Sequence, residues 1–528
     1  MIRTRLFIRE VNSMGLSSKM QCRAKSIRDS PKKYNEVDNM DNKVQYVRPT
    51  EDIPGPKALP LLGNWFRFMP YIGEYHNVNV LTLMRMLRDK YGNIVKLDSL
   101  TKERPRIFLF CPELCKNMYQ LQGKWPMRIA MEPLYYYRKS REDIYNGQYG
   151  LVSSQGELWQ DFRSKVSSHM MRPEKVKTHV TQIYEVTSEF VDKMRALRNP
   201  KTLELPNDFS NELFKWSLES KCSFALNCQL GCLRSNLDVN SEPQIMMNCV
   251  KEMFDLIYRL ENLPSLWKLY NTRNLKKLFR TLDTIQAISW KHIEYAKKFM
   301  KTADNTNSKD SCLLENILRI DRQTAHVMAL DTLASSDTTG NAAGALLYYI
   351  ANNWDKQEKL REEVMSVLPN KTTPVTYDIL KRISYVKACI KESMRLFPIT
   401  SGIQRTMQTD VSIGGYMIPE GSDVMACHSL ISMDPTYFPQ PKKFIPERWM
   451  RGNPEFLLYK KSHPFAYMPF GYGVRSCIGQ RFAEMELEIL LLKVIRNFRI
   501  EWHRGPLEHT SQIINTIKSP LQLKLIDL

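Results

Sequence analysis

One segment near the end of the chain constrains its fold and chemistry more than any other. The ten residues that begin at Phe470 read F-G-Y-G-V-R-S-C-I-G and place Cys477 between Gly473 and Gly479. A cysteine that ligates iron has to be deprotonated and shielded from oxidation. The glycines would let the backbone turn tightly beside a flat cofactor, and Arg475 could form a charge-assisted hydrogen bond with a carboxylate of that cofactor. The pattern predicts that Cys477 is the thiolate ligand of an iron cofactor.

The residues after this loop have the periodicity of an amphipathic helix. The run from Gln480 to Phe498 is predicted to form a helix whose N-terminus points at the sulfur. The positive end of a helix dipole stabilises a thiolate, and backbone N–H groups of the loop can donate hydrogen bonds to the sulfur.

The loop resembles the haem-binding signature of the cytochrome P450 family, and further motifs follow in that family's order over nearly the whole chain. The resemblance implies a haem-thiolate domain, mainly α with a minor β region, that binds haem b at Cys477 and Phe470. Long stretches of helical periodicity agree with this fold class, as do short β-like runs such as 106–110. No internal repeat divides the 528 residues, and 43% hydrophobic residues suffice for a large core.

A Glu-x-x-Arg pair lies on a helix predicted from Ser384 to Phe397. The spacing of three residues places both side chains on one face of the helix. Together with Arg448 in the later segment F-I-P-E-R-W, the pair resembles the family's Glu–Arg–Arg cluster. The resemblance implies that Glu392, Arg395 and Arg448 form an internal ionic lock that holds the cysteine loop in place.

The segment A-S-S-D-T-T lies in a helical stretch predicted from Asp321 to Asn353 and is similar to the family's oxygen-activation motif. The resemblance implies that Thr338 contacts bound oxygen and interrupts the helix locally, while Asp337 relays protons. Ser335 stands where glycine is usual, and the segment before it looks one residue shorter than in relatives. The width of the groove above the haem is therefore open.

A buried dianionic cofactor requires several cations. Trp159 and Arg163 match W-x-x-x-R, and their spacing of four residues lets both reach one haem propionate from a helix. Arg405 matches the position of another propionate-binding arginine in the family. With Arg475, these residues are the predicted propionate site.

Electrons are expected from another protein, because the chain contains no flavin or nicotinamide fingerprint. Lys387 and Lys391 match two lysines that bind an acidic [2Fe-2S] ferredoxin in mitochondrial relatives, and Arg481 matches a third basic position. Gln480 replaces a basic residue beside it, which predicts weaker, salt-sensitive steering. The net charge of +20 fits an acidic partner. The partner is predicted to be a mitochondrial ferredoxin with its NADPH-dependent reductase; no motif indicates nucleic-acid binding.

The first 33 residues contain nine Lys/Arg and two Asp/Glu, which is typical of a mitochondrial transit peptide. Residues 1–45 are interpreted as this peptide and a flexible segment, and residues 46–528 as the catalytic domain, with the folded region beginning near 53–56. No stretch reaches the roughly 18 apolar residues needed to span a bilayer. We expect a monomer at the matrix side of the inner mitochondrial membrane, with peripheral membrane contact.

The resemblance implies a monooxygenase that hydroxylates a lipophilic small molecule. Its pocket is expected to involve Trp125–Tyr137, Phe254–Tyr258, Ile399, Thr400 and Ile403. Foreign compounds and endogenous steroids both remain open as substrates. Two other readings are an electron-independent haem-thiolate isomerase or dehydratase, which the Asp337–Thr338 pair disfavours, and a non-enzymatic haem sensor, which needs no substrate pocket.

Three shorter motifs resemble insect mitochondrial enzymes of the detoxification type; they are 203–209, 216–220 and 364–371. The cysteines do not form a disulfide framework, because their number, eleven, is odd. The closest spacings, Cys111 with Cys115 and Cys228 with Cys232, are not those of a zinc site. We expect reduced thiols.

Overall fold

A computed structural model describes residues 47–60, 62–98, 105–261, 263, 265–302, 312–455 and 462–528. Arg48–Leu528 form one compact unit. The predicted transit peptide lies outside the described residues. Helices dominate the unit and small sheets flank them, so the expected class, mainly α with a minor β region, is confirmed.

The α-helices of the described residues are α1 (Val80–Tyr91), α2 (Pro112–Gln120), α3 (Glu132–Lys139), α4 (Glu142–Tyr145), α5 (Gly150–Ser153), α6 (Gly156–Met170), α7 (Pro173–Val176), α8 (Val180–Leu197), α9 (Phe209–Ala225), α10 (Glu242–Glu261), α11 (Arg273–Thr302), α12 (Leu313–Leu318), α13 (Arg322–Leu333), α14 (Ser336–Ala351), α15 (Trp354–Val367), α16 (Tyr377–Arg382), α17 (Ser384–Leu396), α18 (His428–Ile431) and α19 (Gln480–Asn497). Short 3₁₀ helices occupy Thr50–Asp52, Trp65–Phe68, Lys177–His179, Pro446–Trp449 and Pro464–Ala466. The strands are β1 (Ile94–Leu97), β2 (Arg106–Leu109), β3 (Ile403–Thr406), β4 (Val411–Ile413), β5 (Tyr416–Ile418), β6 (Asp423–Ala426), β7 (Phe498–Glu501), β8 (His509–Ser511), β9 (Asn515–Ile517) and β10 (Lys524–Asp527).

The largest sheet of the described residues has the strand order β1-β2-β6-β3. Strand β2, which the β-like run at 106–110 predicted, pairs antiparallel with β1 and parallel with β6. Burial alternates along β1, as expected for a strand with one face on the core. Three two-stranded sheets, β4-β5, β7-β10 and β8-β9, complete the β structure.

Helix α14 lies at the centre of the helical core, where it packs against α9, α17 and α19. Its small residues permit close approach: a Cβ on Gly340 would lie 3.2 Å from the Phe214 Cα of α9. Helices α17 and α19 begin and end within one residue of the predicted bounds. Helix α14 carries the proton pair. It therefore contacts both the helix that carries the lock pair, α17, and the helix that follows the cysteine loop, α19.

The stretch predicted as helical from Asp321 to Asn353 is two helices, α13 and α14, with a break at Ala334–Ser335. Side-chain hydroxyl groups of serine and threonine compete with backbone N–H groups for the backbone carbonyls of a helix. Ser335 Oγ donates to Thr332 O at 2.7 Å, and Thr338 Oγ1 donates to Ser335 O at 2.6 Å. The interruption expected from Thr338 is present, and Ser335 contributes to it.

The ten cysteines in the described part of the chain are free thiols, as expected. No described helix is both long and apolar enough to cross a membrane.

Candidate active site

The cysteine loop is closed by its own backbone. Cys477 N donates to Phe470 O at 2.9 Å, and Ser476 N donates to Gly473 O at 3.0 Å. Gly473 has φ +76° and Gly471 has φ +77°, a conformation that favours glycine. Gly479 has φ −85°, which any residue adopts. The tight-turn argument therefore holds for Gly473, is wrong for Gly479, and applies to Gly471, which the sequence analysis did not single out.

The Cys477 thiol lies inside the protein and is exposed to a large cavity. Burial raises the pKa of this thiol, whereas a hydrogen bond from the Gly479 backbone and the charges of Arg163, Lys221 and Arg128 lower it. Helix α19 starts three residues after the sulfur, at Gln480. These groups all favour a negative charge on the sulfur.

The cavity has a volume of about 550 Å³ and mostly apolar walls. The predicted substrate segments contribute Leu134, Tyr137, Phe254, Ile257, Ile399, Thr400 and Ile403, whereas Trp125 and Tyr258 lie outside the wall. Leu282 and Ile285 of α11, together with Met253 of α10, add apolar surface that the sequence did not predict. A lipophilic molecule fits such a surface better than a polar one does.

Three of the arginines, Arg128, Arg163 and Arg475, line the same cavity, and the charge of Arg405 acts on Arg475. Burial, followed by the charges of Arg128, Arg405 and Arg163, lowers the pKa of Arg475 to about 8. Nε and Nη1 of Arg475 and Nε of Arg128 are buried without a hydrogen-bond partner in the described structure. Buried donors and clustered positive charge both call for an anion. The two propionates of haem satisfy this requirement, so the cavity fits the predicted cofactor.

The predicted propionate residues differ in how they are held. Arg405 Nε donates to Gln122 Oε1 at 2.7 Å. Arg475 Nη2 donates to Ser154 O at 3.0 Å, and its guanidinium lies 4.1 Å from the centre of the Trp159 ring. The ring of Trp159 therefore supports Arg475 through a cation–π contact, a role that the W-x-x-x-R pattern did not predict.

Arg128 is the residue that the sequence analysis missed. It lies inside the segment 125–137, which was predicted as substrate pocket, and no motif marks it. The backbone N–H of Arg128 donates to Gln155 Oε1 at 2.9 Å, and the same oxygen accepts a hydrogen bond from Arg475 Nη2 at 3.0 Å. An arginine in the otherwise apolar run P-M-R-I-A-M was the available signal.

Asp337 and Thr338 are neighbours on α14 but line different cavities. Thr338 lines the large cavity, whereas Asp337 lines a second cavity of about 290 Å³ together with Lys251 and Asn341. Asn341 Nδ2 donates to Asp337 Oδ1 at 3.0 Å. Burial raises the pKa of Asp337, and the charge of Lys251 and the Asn341 bond lower it. The two side chains of this pair therefore face two different cavities from one helix.

The predicted lock residues are in contact and fully buried. Arg395 Nη2 lies 2.8 Å from Glu392 Oε1, and Arg448 Nε lies 3.2 Å from the same oxygen. Trp449 Nε1 and Ile445 N also donate to this carboxylate, both at 3.0 Å. Arg395 Nε donates to Glu392 Oε2 at 3.0 Å, and Nη1 and Nη2 also donate to the carbonyls of residues 432, 441 and 443. The carboxylate thus fastens α17 to the segment that precedes the cysteine loop.

The predicted ferredoxin residues differ in exposure. Lys391 and Arg481 are exposed, whereas the Lys387 side chain is 39% exposed and lies 4.0 Å from Glu488. Lys387 Nζ also donates to Leu380 O. Lys387 is therefore partly engaged within the protein, which the sequence did not predict.

The chain is similar to known proteins over most of its length. The model of the family "Cytochrome P450" matches residues 53–525. The Drosophila melanogaster protein named "Probable cytochrome P450 12b2, mitochondrial" is 36% identical over 494 residues, covering 92% of this chain and 91% of that protein. "Cytochrome P450 CYP12A2" of Musca domestica is 36% identical over 501 residues, with 92% of each chain covered. "Probable cytochrome P450 12a5, mitochondrial" of Drosophila melanogaster is 36% identical over 497 residues, covering 91% and 92%.

Proposed function

The chain belongs to the cytochrome P450 family of haem-dependent monooxygenases, and from this premise we propose that it hydroxylates a lipophilic small molecule with electrons from a mitochondrial ferredoxin. The observation that carries the proposal is the position of the Cys477 thiol in a cavity that combines mostly apolar walls with three arginines, Arg128, Arg163 and Arg475. Foreign compounds and steroid-like molecules both fit this surface.

Haem, when bound, supplies the iron at which dioxygen is activated. Cys477 would ligate the iron through its sulfur, and Arg128, Arg163, Arg405 and Arg475 would hold the propionates. Phe470 and Trp159 line the same cavity. The Gly479 backbone and the N-terminus of α19 favour a negative charge on the sulfur against the effect of burial, and the apolar wall excludes water from the reacting centre.

Protons are proposed to reach the large cavity through the adjacent pair on α14. Asp337 takes a proton from the second cavity, where Lys251 and Asn341 accompany it. Thr338, on the other side of the helix wall, presents its hydroxyl to the large cavity. A general acid next to a hydroxyl suits the stepwise delivery of two protons.

The ferredoxin is proposed to bind where Lys391 and Arg481 are exposed, with Lys387 at the edge of the site. Glu488, whose pKa burial raises to about 7, lies within the influence of Lys387 and Lys391. An acidic partner would meet a positive surface there, and its association would weaken with salt.

We propose that the protein lies at the matrix side of the inner mitochondrial membrane; the printed names of several relatives support a mitochondrial location. Leu266, Leu269 and Tyr270 are exposed in the connection between α10 and α11. Both helices contribute to the apolar cavity wall. Peripheral contact of this connection with lipid would bring a lipophilic substrate to the cavity.

One experiment tests the haem ligand and the electron donor separately. Purified, haem-loaded protein is mixed anaerobically with carbon monoxide and reduced with a mitochondrial ferredoxin, its reductase and NADPH. The red-shifted Soret band of a thiolate-ligated carbon monoxide complex is expected. It should be lost in Lys387→Glu plus Lys391→Glu and restored there by dithionite. Lys90→Glu plus Lys139→Glu, at exposed positions on α1 and α3, is the matched control.

Each outcome decides one part of the proposal. A band with dithionite but not with ferredoxin would keep Cys477 as ligand and exclude the electron donor. No band with any reductant would exclude Cys477. Equal loss of the band in the control variant would show that total charge, not the proposed surface, governs ferredoxin binding.

A further inference from the structure

A lysine faces the same cavity from a helix to which the proposed mechanism assigns no role. Lys221 lies on α9 and is 3% exposed. It lines the cavity that contains Cys477. Burying a lysine ammonium group costs free energy unless it is paired. Its hydrogen-bond partners must therefore compensate for its burial.

The partners of Lys221 come from three helices. Its Nζ lies 2.8 Å from Glu486 Oε2, 3.0 Å from Thr339 Oγ1 and 3.3 Å from Ser217 Oγ. Glu486 is nine residues after Cys477 on α19, and Thr339 directly follows Thr338 on α14. One ammonium group thus connects α9 with the helix that follows the cysteine loop and with the helix of the proton pair.

One carboxylate oxygen of this pair lacks a hydrogen-bond partner. Glu486 Oε1 is buried and has no hydrogen-bond partner in the described structure, so the carboxylate is held through one oxygen. Lys221 is also one of the cations whose charge acts on the Cys477 sulfur. In a site without bulk water such charges are weakly screened.

We propose that the Lys221–Glu486 pair sets the reduction potential of the haem iron. Lys221 acts as a positioning residue, because it places a positive charge in the cavity that Cys477 lines. The proposal rests on Cys477 being the iron ligand, as proposed above. A nearby cation favours the added electron, and a nearby anion disfavours it. Removing either member should therefore shift the potential, but in opposite directions.

The experiment measures the ferric–ferrous midpoint potential by spectroelectrochemistry on full-length, haem-loaded protein. Lys221→Met should lower the potential and Glu486→Gln should raise it, each by about a tenfold change in the equilibrium constant, or about 59 mV for one electron. Lys215→Met is the matched control, because Lys215 lies on the same helix and is bonded to Glu212 rather than to the cavity. It should leave the potential unchanged.

A structural role alone would not give shifts of opposite sign. The double variant Lys221→Met plus Glu486→Gln, which removes both charges, should return the potential toward that of the parent protein. Shifts in the same direction, or none, would overturn the proposal. If Lys221→Met does not fold, the sign of the Glu486→Gln shift still decides. The carbon monoxide Soret band of each variant reports separately whether Cys477 remains the ligand, so failure there would implicate the proposed function instead.

Discussion

At the scale of single residues, Arg128 shows how a site can depend on a side chain without a motif. Its guanidinium carries an unpaired buried Nε and lies close enough to Cys477 for its charge to act on the sulfur. Burial lowers its pKa, and an anion placed beside it would oppose that shift. Arg128 therefore has the properties of a propionate-binding residue although its sequence neighbours suggested only an apolar pocket.

Replacing Arg128 with leucine should accelerate haem loss. A hydrogen bond to a charged group contributes about 1.5–3 kcal/mol, so we expect haem to leave about ten to a hundred times faster. The measurement is haem transfer to excess apomyoglobin. Arg141→Leu, at a half-buried arginine that pairs with Asp283, serves as the control. Haem loss at the parent rate in Arg128→Leu would exclude this role.

At the scale of elements, two carboxylates fasten helices to other segments in different ways. Glu392 joins α17 to the segment before the cysteine loop through charged and backbone donors. Glu261, the last residue of α10, accepts a hydrogen bond from Glu132 N at the start of α3, at 2.5 Å. The first contact is an ion cluster; the second is a cap supplied by a different helix.

Breaking the ion cluster should prevent assembly of the haem site. Removing one partner of a buried pair costs about 3–5 kcal/mol, because the other charge stays buried. Arg395→Ala should therefore yield haem-free or unfolded protein, measured as the ratio of Soret to protein absorbance after purification. Arg319→Ala, at an exposed arginine, should retain haem. Folded, haem-replete Arg395→Ala would contradict the proposed lock.

The Glu261 cap should make stability depend on pH. Burial raises the pKa of Glu261 to about 7, above its ordinary value of 4.5, although the backbone N–H groups of Glu132 and Met131 lower it. Because the folded state binds the proton more tightly, this contribution to stability is present at low pH and is lost as the pH rises from about 4.5 to about 7.

The test compares melting temperatures of parent protein and Glu261→Gln between pH 5 and pH 8. The variant should melt at an increasingly higher temperature than the parent as the pH rises. Its amide oxygen can still accept the hydrogen bond from Glu132. Exposed Glu420→Gln is the control. A constant difference between parent and Glu261→Gln across this range would mean that Glu261 does not titrate there.

At the scale of the whole molecule, the surface carries exposed apolar side chains next to the cavity helices. Leu266 is 52% exposed and Leu269 is 69% exposed. Exposed apolar side chains that occur together in one connection can mark contact with lipid or another protein. Lys268 lies between them and pairs with Glu132 at 2.7 Å, so the connection also carries charge.

Replacing both leucines with glutamate should reduce binding to vesicles that contain an anionic mitochondrial lipid. Each substitution removes apolar contact and adds like charge, and we expect at least tenfold weaker sedimentation with the vesicles. Val239→Glu, at a position that is 76% exposed outside this connection, should bind as the parent does. Equal binding by all three proteins would remove this connection as the membrane contact.

Four elements of the fold were predicted from local pattern. The bounds of α17 and α19 and the position of β2 were predictable because helical periodicity and β-like runs are local properties. The break between α13 and α14 was predictable only in part, since it depends on which hydroxyls bond to which carbonyls. Motifs named the lock residues, which the structure brings together.

What the sequence could not provide was the environment of side chains that meet only after folding. Arg128, Trp449 and Lys221 are brought to their partners by segments distant in sequence, and no spacing rule relates them. The separation of Asp337 from the large cavity was equally hidden, because the direction of a side chain from α14 depends on the helices packed around it.

The four clustered arginines have a consequence for the life of the protein in the cell. Before haem arrives, mutual repulsion and unpaired donors oppose closure of this region. Haem binds the folded state and so draws the chain toward it by mass action. In newly made chains that lack haem, this region would take longer to fold and would be more accessible to proteases. The steady-state amount of this protein should therefore rise and fall with the supply of haem even when its synthesis is constant.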